Sequence, residues 1–113
     1  MNSDNLDINS LMKERRNALK KSTRMISFGE LKALGEKIFA DQPSHPWRES
    51  FEQFLRENPH GTFYHGTTHD KFQLVYCPEK EKGIWFLPGS GMGILMEGGI
   101  IAMKEIIKTR GGV

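Results

Sequence analysis

Residues 61–93 read GTFYHGTTHDKFQLVYCPEKEKGIWFLPGSGMG, and this stretch decides the fold. Aromatic and β-branched residues are concentrated in three short runs, at residues 62–65, 72–77 and 84–87. Residues of these types favour strands, and turn-forming residues separate the runs over lengths that suit hairpins. The stretch therefore predicts a three-stranded antiparallel meander in which the strands follow the order of the sequence.

The residues before this stretch follow helical periodicity. Ser27 and Glu30 match the capping box, in which each residue bonds the backbone of the other, so a helix is predicted to begin at Ser27. Its apolar residues recur at helical spacing until residues 41–43 end the run. A second helix is predicted from residues 44–46 to residues 58–61, with aromatic and aliphatic residues along one side.

Helical spacing returns after Gly93 and continues to Ile107. Gly98 and Gly99 lower the helix propensity of this segment by about 1 kcal/mol each relative to alanine. Either the helix begins only near Glu97, or the glycines allow its backbone to lie close to the sheet. The predicted fold is α+β, with two N-terminal helices, a three-stranded antiparallel meander and a C-terminal helix, and with the helices on one face of the sheet.

The chain of 113 residues is predicted to hold one α+β domain, residues 27–110, behind a flexible basic arm, residues 1–26. Residues 1–24 carry six basic and three acidic side chains, whereas the remainder is nearly neutral. Apolar residues in the arm are too sparse to form a buried stripe. The arm either contacts nucleic acid or an acidic partner, or it is a solvated tail that aids solubility.

Composition also indicates where the protein works. No apolar run approaches the roughly 18 residues that span a bilayer. The N-terminus lacks the cationic start and the apolar block of a secretory signal. The single cysteine, Cys77, cannot form an intrachain disulfide, which fits a reducing compartment. We therefore expect a cytoplasmic protein, of bacterial or cytosolic origin, that does not associate with a membrane.

Both sides of the last predicted strand are apolar. Ile84 and Phe86 point to one face of the sheet, while Trp85 and Leu87 point to the other. With helices on one face only, Trp85 and Leu87 would form an apolar surface for a partner. Such a surface is covered either by an extra N-terminal helix that wraps around the sheet or by a second copy in a homodimer.

A glycine-rich turn follows the last predicted strand and consists of Gly89, Ser90, Gly91, Met92 and Gly93. Free amides at a helix N-terminus bind anions, and glycines allow a phosphate to approach the backbone. The turn is therefore a candidate anion-binding site. The alternative is a tight strand-to-helix turn that needs positive φ values, because neither the lysine of a P-loop nor the parallel strands of a dinucleotide site are present.

His65 and His69 are candidate site histidines around the first predicted turn. They are four residues apart, but the turn between them does not give the helical geometry of paired metal ligands. The chain also lacks the closely spaced ligand pairs of a structural zinc site. We therefore assign no metal site, no cofactor and no catalytic residue from the sequence, and we expect a binding protein rather than an enzyme.

Two patterns resemble known families. The predicted helix, three strands and helix from Pro46 onward resemble the topology of double-stranded-RNA-binding domains, including a Gly-x-x-His turn from Gly66 to His69. In that family the last helix begins with a lysine cluster that grips phosphates, whereas residues 93–97 contain no lysine, so the resemblance implies architecture only. Residues 64–67 resemble the His-Gly-Thr strand motif of ADP-ribosyltransferases of the poly(ADP-ribose) polymerase type, over four residues, and we attach no function to this match.

The sequence thus favours a small non-enzymatic binding or protein-interaction module that acts through its sheet face and its glycine turn. Its partner is an unknown protein or a second copy of the chain. The alternative is an RNA- or nucleotide-phosphate-binding protein in which the turn at residues 89–93 holds phosphate and the basic arm supplies charge. A small enzyme with a site around His65 and His69 is a third class, which no recognisable nucleophile supports.

Overall fold

The computed structural model describes residues 3–40, 46–58 and 60–111. Within these residues the chain forms four helices and a five-stranded antiparallel sheet, which confirms the predicted α+β class. The helices are α1 (Ser3–Ser22), α2 (Phe28–Ile38), α3 (Pro46–Arg56) and α4 (Glu97–Gly111). The strands are β1 (Arg24–Ile26), β2 (Phe63–Thr67), β3 (Gln73–Cys77), β4 (Lys82–Leu87) and β5 (Gly91–Ile94).

The sheet is a meander in which each strand pairs antiparallel with the next strand along the chain. The three predicted strands correspond to the central strands β2, β3 and β4. The predicted number of strands is wrong, because β1 and β5 extend the sheet at its two edges. β1 has three residues and β5 reads Gly-Met-Gly-Ile, so neither displays the alternating pattern of a half-buried strand.

Helices cover both faces of the sheet, so the predicted arrangement with helices on one face is wrong. On the α2–α3 face the buried residues are Ile26, Leu31, Phe39, Phe51, Phe54, Leu55, Phe63, Val75, Cys77, Ile84 and Phe86. On the α1–α4 face they are Leu19, Leu74, Tyr76, Leu95, Met103 and Ile106. β3 and β4 carry apolar side chains on both sides, and cover on one side only would leave the other side in water.

The segment that the sequence predicts as a flexible basic arm contains α1 and β1. Leu19 of α1 is buried against the sheet, and Ile26 of β1 pairs with Phe63 of β2. Three helices rather than two therefore precede β2. The Trp85 side of the sheet is covered by α1, from the segment predicted as an arm, and by α4, whereas the helix predicted from Ser27 lies on the other face. The flexibility of residues 1–26 stays a prediction.

The helix starts agree with the sequence where the structure describes them. At the start of α2, Glu30 N donates to Ser27 Oγ at 3.1 Å and Ser27 N donates to Glu30 Oε1 at 3.4 Å, which confirms the capping box. α4 begins at Glu97, which confirms the later of its two predicted starts. The predicted helix end at residues 41–43 and the predicted start at residues 44–45 lie outside the described residues. None of the described helices is long and apolar enough to cross a membrane.

From Pro46 onward the observed order is a helix, four strands and a helix, with α3 and α4 on opposite faces of the sheet. This order differs from the helix, three strands and helix on which the resemblance to double-stranded-RNA-binding domains was based. The architecture therefore gives that resemblance no further support.

Candidate interaction groove

An apolar groove runs between α1 and α4 and has the sheet as its floor. Its volume is about 550 Å³. Phe72, Leu74 and Trp85 form the floor, and the α1 wall includes Met12 and Leu19. The remaining lining residues are Arg15, Arg16, Thr68, Leu95, Met96, Gly98, Gly99 and Ala102. We call this feature the α1–α4 groove.

Two glycines in the first turn of α4 keep one wall of the groove low. A Cβ atom added at Gly98 would meet no heavy atom within 4 Å, so the space beside this residue is open. A Cβ added at Gly99 would lie 2.6 Å from Leu95 Cδ1, so the Leu95 side chain lies against the helix backbone there. Gly98 therefore leaves open space at this wall, whereas Gly99 makes room for the Leu95 side chain.

The floor of the groove is a stack of aromatic and cationic groups. The rings of Phe72 and Trp85 meet edge to face with centroids 5.6 Å apart. Arg15 Cζ lies 4.8 Å from the centroid of the Phe72 ring, within reach of a cation–π contact. Phe72 and Trp85 are both half-buried, so α1 and α4 leave part of their aromatic surface accessible. The stack fixes the orientation of that surface.

Arg15 is held in place by Asp70 in the turn between β2 and β3. Arg15 Nη2 lies 2.8 Å from Asp70 Oδ2, and Thr68 Oγ1 donates to Asp70 Oδ1 at 2.6 Å. The hydrogen bonds from Arg15 lower the pKa of Asp70 from 3.8 to about 2. The carboxylate is therefore ionised at neutral pH and ties α1 to the edge of the groove floor.

The groove continues toward a basic region along the same pair of helices. A second cavity of about 610 Å³ is lined by Arg16, Lys20, Ala102, Glu105, Ile106, Lys108 and Thr109. It shares Arg16 and Ala102 with the apolar groove. Among the described residues, Arg16 and Lys108 have no ion-pair partner. The groove is thus apolar at one end and positively charged at the other.

Trp85 and Leu87, the predicted partner surface, do not lie on a bare sheet face. α1 and α4 cover that face, and Trp85 is half-buried in the groove floor. Leu87 pairs with Gly91 at the start of β5 and does not line the groove. The predicted bare sheet face is therefore wrong. Trp85 remains accessible through the opening between α1 and α4. Whether these residues contact a partner stays a prediction.

The candidate anion-binding turn is divided between a turn and a strand. Gly89 has φ of +78° in the turn, while Gly91, Met92 and Gly93 belong to β5. The turn does not lead directly into a helix, because β5 follows it and α4 begins at Glu97, the later of the two predicted starts. The anion-binding hypothesis depended on free amides at a helix N-terminus, and the turn at residues 89–93 does not contain them. Anion binding by residues 89–93 stays a prediction.

The glycines of β5 make room for Trp85. A Cβ added at Gly93 would lie 2.8 Å from both Nε1 and Cζ2 of the indole, closer than real Cβ atoms come to such groups. Trp85 and Gly93 are directly opposite each other in the β4–β5 ladder. An aromatic ring that lies over a cross-strand glycine compensates for the packing that the glycine lacks. The glycine-rich sequence thus has a packing role that sequence reasoning missed.

The two candidate histidines lie apart. His65 is half-buried in β2, and its Nε2 lies 2.9 Å from Gln73 Oε1, while burial lowers its pKa. His69 Nε2 lies 3.2 Å from Glu14 Oε2 of α1. The described residues contain no group of three or more histidine, cysteine, aspartate or glutamate residues that could hold a metal ion. The structure therefore does not bring His65 and His69 into one site.

A smaller cavity of about 360 Å³ lies between α2 and α3 on the opposite side of the molecule. Phe28, Phe39 and Phe51 contribute to its lining, together with charged residues of both helices. Arg48 Nε donates to Glu52 Oε1 at 2.9 Å, so two of the charged residues at this cavity already pair with each other. The α1–α4 groove is larger and continues into a basic region, which makes it the better candidate site.

No known protein family, curated protein or solved structure matches the chain. The function is therefore argued from the chemistry of the groove itself. Sequence periodicity could not reveal the groove, because its walls come from the two ends of the described chain. In the sequence, the apolar Trp85 on the second side of the last predicted strand pointed toward this face of the sheet.

Proposed function

We propose that the protein is a non-enzymatic interaction module that binds an apolar segment of a partner protein, flanked by acidic residues, in the α1–α4 groove. The observation that carries the proposal is the exposure of methionines on the two rims. Met12 of α1 is 56% exposed and Met96, before α4, is 76% exposed. Between them lie the half-buried rings of Phe72 and Trp85.

The chemistry of the groove suits apolar side chains. Methionine is flexible and polarisable, so it adapts to partners of different shape. Full burial of a leucine or phenylalanine anchor contributes roughly 1.5–3 kcal/mol. An amphipathic helix that lays apolar residues along a groove uses several such anchors at once. The volume of about 550 Å³ leaves room for more than one anchor.

The charge of the groove favours an acidic flank on the partner. Arg16 and Lys108 line the continuation of the groove, where Glu105 is the one acidic residue among the described lining residues. Complementary charge increases the rate of association and disfavours basic competitors. A segment with apolar anchors at one end and acidic residues at the other would match both parts of the groove.

A peptide-display selection on the full chain tests this proposal. Gly98→Leu is the blocking variant, because its side chain enters the open space beside the groove. Gly29→Leu is a matched control. Gly29 is the second residue of α2 as Gly98 is of α4, and a Cβ at Gly29 also meets nothing within 4 Å. Peptides enriched on the unaltered protein should contain apolar residues at helical spacing beside acidic residues.

The affinities of the enriched peptides decide the outcome. We expect Gly98→Leu to weaken binding about tenfold or more, which corresponds to about 1.4 kcal/mol, and Gly29→Leu to leave it unchanged. Enriched peptides that bind both variants equally would contradict the proposal. A selection that enriches no peptide would also contradict the proposal. In that case, binding of a fatty acid such as dodecanoate in the groove would identify an amphiphile as the better ligand class.

A second candidate function is binding of RNA or nucleotide phosphate by the basic α1 segment and the turn at residues 89–93. The observation that favours it is the exposure of four cations on α1, namely Lys13, Arg16, Lys20 and Lys21. Binding through phosphate contacts weakens steeply as salt is raised. Filter binding to double-stranded RNA at several salt concentrations tests this candidate. A binding constant that does not change with salt concentration would exclude it. A phosphate titration that leaves the Ser90 amide shift unmoved would remove the role of the turn.

A further inference from the structure

The outer edge of β5 is a second surface, which the proposed function does not use. β5 ends the sheet, and no described strand pairs with its outer side. Leu95 N donates to Gly83 O at 2.8 Å, which makes these two residues a hydrogen-bonded pair. Such pairs alternate along an antiparallel ladder, so Gly93 directs its backbone groups toward β4. Met92 and Ile94 therefore direct their N–H and C=O groups outward.

Apart from its length of only four residues, this edge lacks the features that keep edge strands from pairing with other chains. Proteins protect exposed edges with charged residues, proline, bulges or very short strands. The sequence from Ser90 to Met96 contains no charged residue and no proline. The opposite edge strand, β1, has three residues and begins with Arg24. Of the two edges of the sheet, the β5 edge is the one open to a further strand.

We propose that two copies of the chain pair through their β5 strands, antiparallel about a twofold axis at Gly93, and so join their sheets into one. The register follows from the outward backbone groups. With the axis at Gly93, Met92 of each copy lies opposite Ile94 of the other copy. In such a hydrogen-bonded pair the two residues exchange both N–H···O=C bonds. Every outward backbone group of Met92 and Ile94 is then paired.

The same strand is complementary to itself, and this favours a second copy over an unrelated strand. An interface between two identical chains related by a twofold axis needs a patch that matches itself. Glycine at the axis offers no side chain to collide with its own copy. The absence of charge from Ser90 to Met96 means that no like charges meet across the axis. Ile94, which is 76% exposed, would gain apolar contacts in the pair.

Sedimentation velocity on the full chain over a concentration series tests the proposal. We expect reversible dimerisation that Ile94→Lys weakens on the order of tenfold or more, because like charges on neighbouring strands repel. Met25→Lys is the matched control, since Met25 is 61% exposed on the opposite edge strand β1. This control should dimerise as the unaltered protein does. A monomer at every concentration would overturn the proposal, as would a dimer that persists unchanged in Ile94→Lys.

Hydrogen exchange on the unaltered protein gives a second readout that does not depend on a variant folding. The amides of Met92 and Ile94 point away from β4, so they should exchange freely in the monomer and become protected as the dimer forms. The amide of Gly93, which faces β4, should show much smaller dependence on concentration. Dimerisation that leaves the Met92 and Ile94 amides unprotected would place the interface elsewhere and overturn the proposal.

Discussion

Arg15 donates two hydrogen bonds to one carboxylate oxygen of Asp70, from Nε at 3.0 Å and from Nη2 at 2.8 Å. The two residues are 55 positions apart in the sequence. Arg15 lies on α1, and Asp70 lies in the turn that leads to Phe72 on the groove floor. This ion pair therefore links α1, one wall of the α1–α4 groove, to the turn beside the groove floor.

Replacement of Asp70 by asparagine should destabilise the protein by about 1–2 kcal/mol at neutral pH. The variant loses charged hydrogen bonds at a site where the two side chains are about 30% exposed, which limits the effect. Urea unfolding followed by circular dichroism measures the loss. Glu52→Gln is the control, because Glu52 bonds Arg48 one turn away on the same helix and should cost at most about 0.5 kcal/mol. Equal effects of the two variants would contradict the anchoring role of Asp70.

The contribution of Asp70 should depend on pH in the acidic range. The folded protein lowers the pKa of Asp70 from 3.8 to about 2, so the folded state binds this proton more weakly than the unfolded state. The stabilisation is therefore fully present above the unfolded pKa and is lost as the pH falls through the folded value. The free-energy difference between the unaltered protein and Asp70→Asn should shrink from pH 5 to pH 2. A difference that stays constant over this range would show that the Asp70 charge is not its source.

Gly93→Ala should displace Trp85 and destabilise the protein by roughly 1–3 kcal/mol, because the new Cβ would lie 2.8 Å from the indole. Gly91→Ala is the matched control in the same strand. Its Cβ would lie 3.6 Å from the nearest side-chain atom, which is an ordinary contact, so its stability should change little. The indole N–H resonance of Trp85 should shift strongly in the first variant only. A stable Gly93→Ala protein with an unmoved Trp85 resonance would contradict the packing described here.

The Cys77 thiol should be unreactive in the native protein. Its side chain is fully buried, and burial raises its pKa, so little thiolate forms at neutral pH. We expect no reaction with a disulfide reagent such as DTNB under native conditions and one equivalent of reaction in denaturant. Fast reaction of the folded protein would show that the α2–α3 face opens readily.

The central part of the fold could be predicted from the sequence because its periodicity is strong. A run of aliphatic and aromatic residues marks β3, and the capping box at Ser27 and Glu30 marks the start of α2. β5 was hidden because two of its four residues are glycines, which carry no side-chain pattern. Its glycines suggested a phosphate-binding turn, whereas the cross-strand neighbour Trp85 explains Gly93.

α1 and the groove could not be predicted for a different reason. Leu19 is the α1 residue buried in the described core, and it contacts β-strand residues far along the chain. One buried position does not produce a stripe in the sequence, so the segment looked like a polar arm. The sequence indicated that Trp85 lies on an apolar side of the sheet. The two helices that cover this side, α1 and α4, are far apart in the sequence, so their proximity could not be predicted.

The place of α1 in the chain has a consequence for synthesis. A ribosome releases α1 before β2, β3 and β4, so the helix leaves the exit tunnel while the surface that receives Leu19 does not yet exist. A strongly apolar helix in this position would invite capture by chaperones or other nascent chains. The charged surface of α1 keeps the helix compatible with water until the strands emerge, and Leu19 and the Arg15–Asp70 ion pair can then attach it to the sheet.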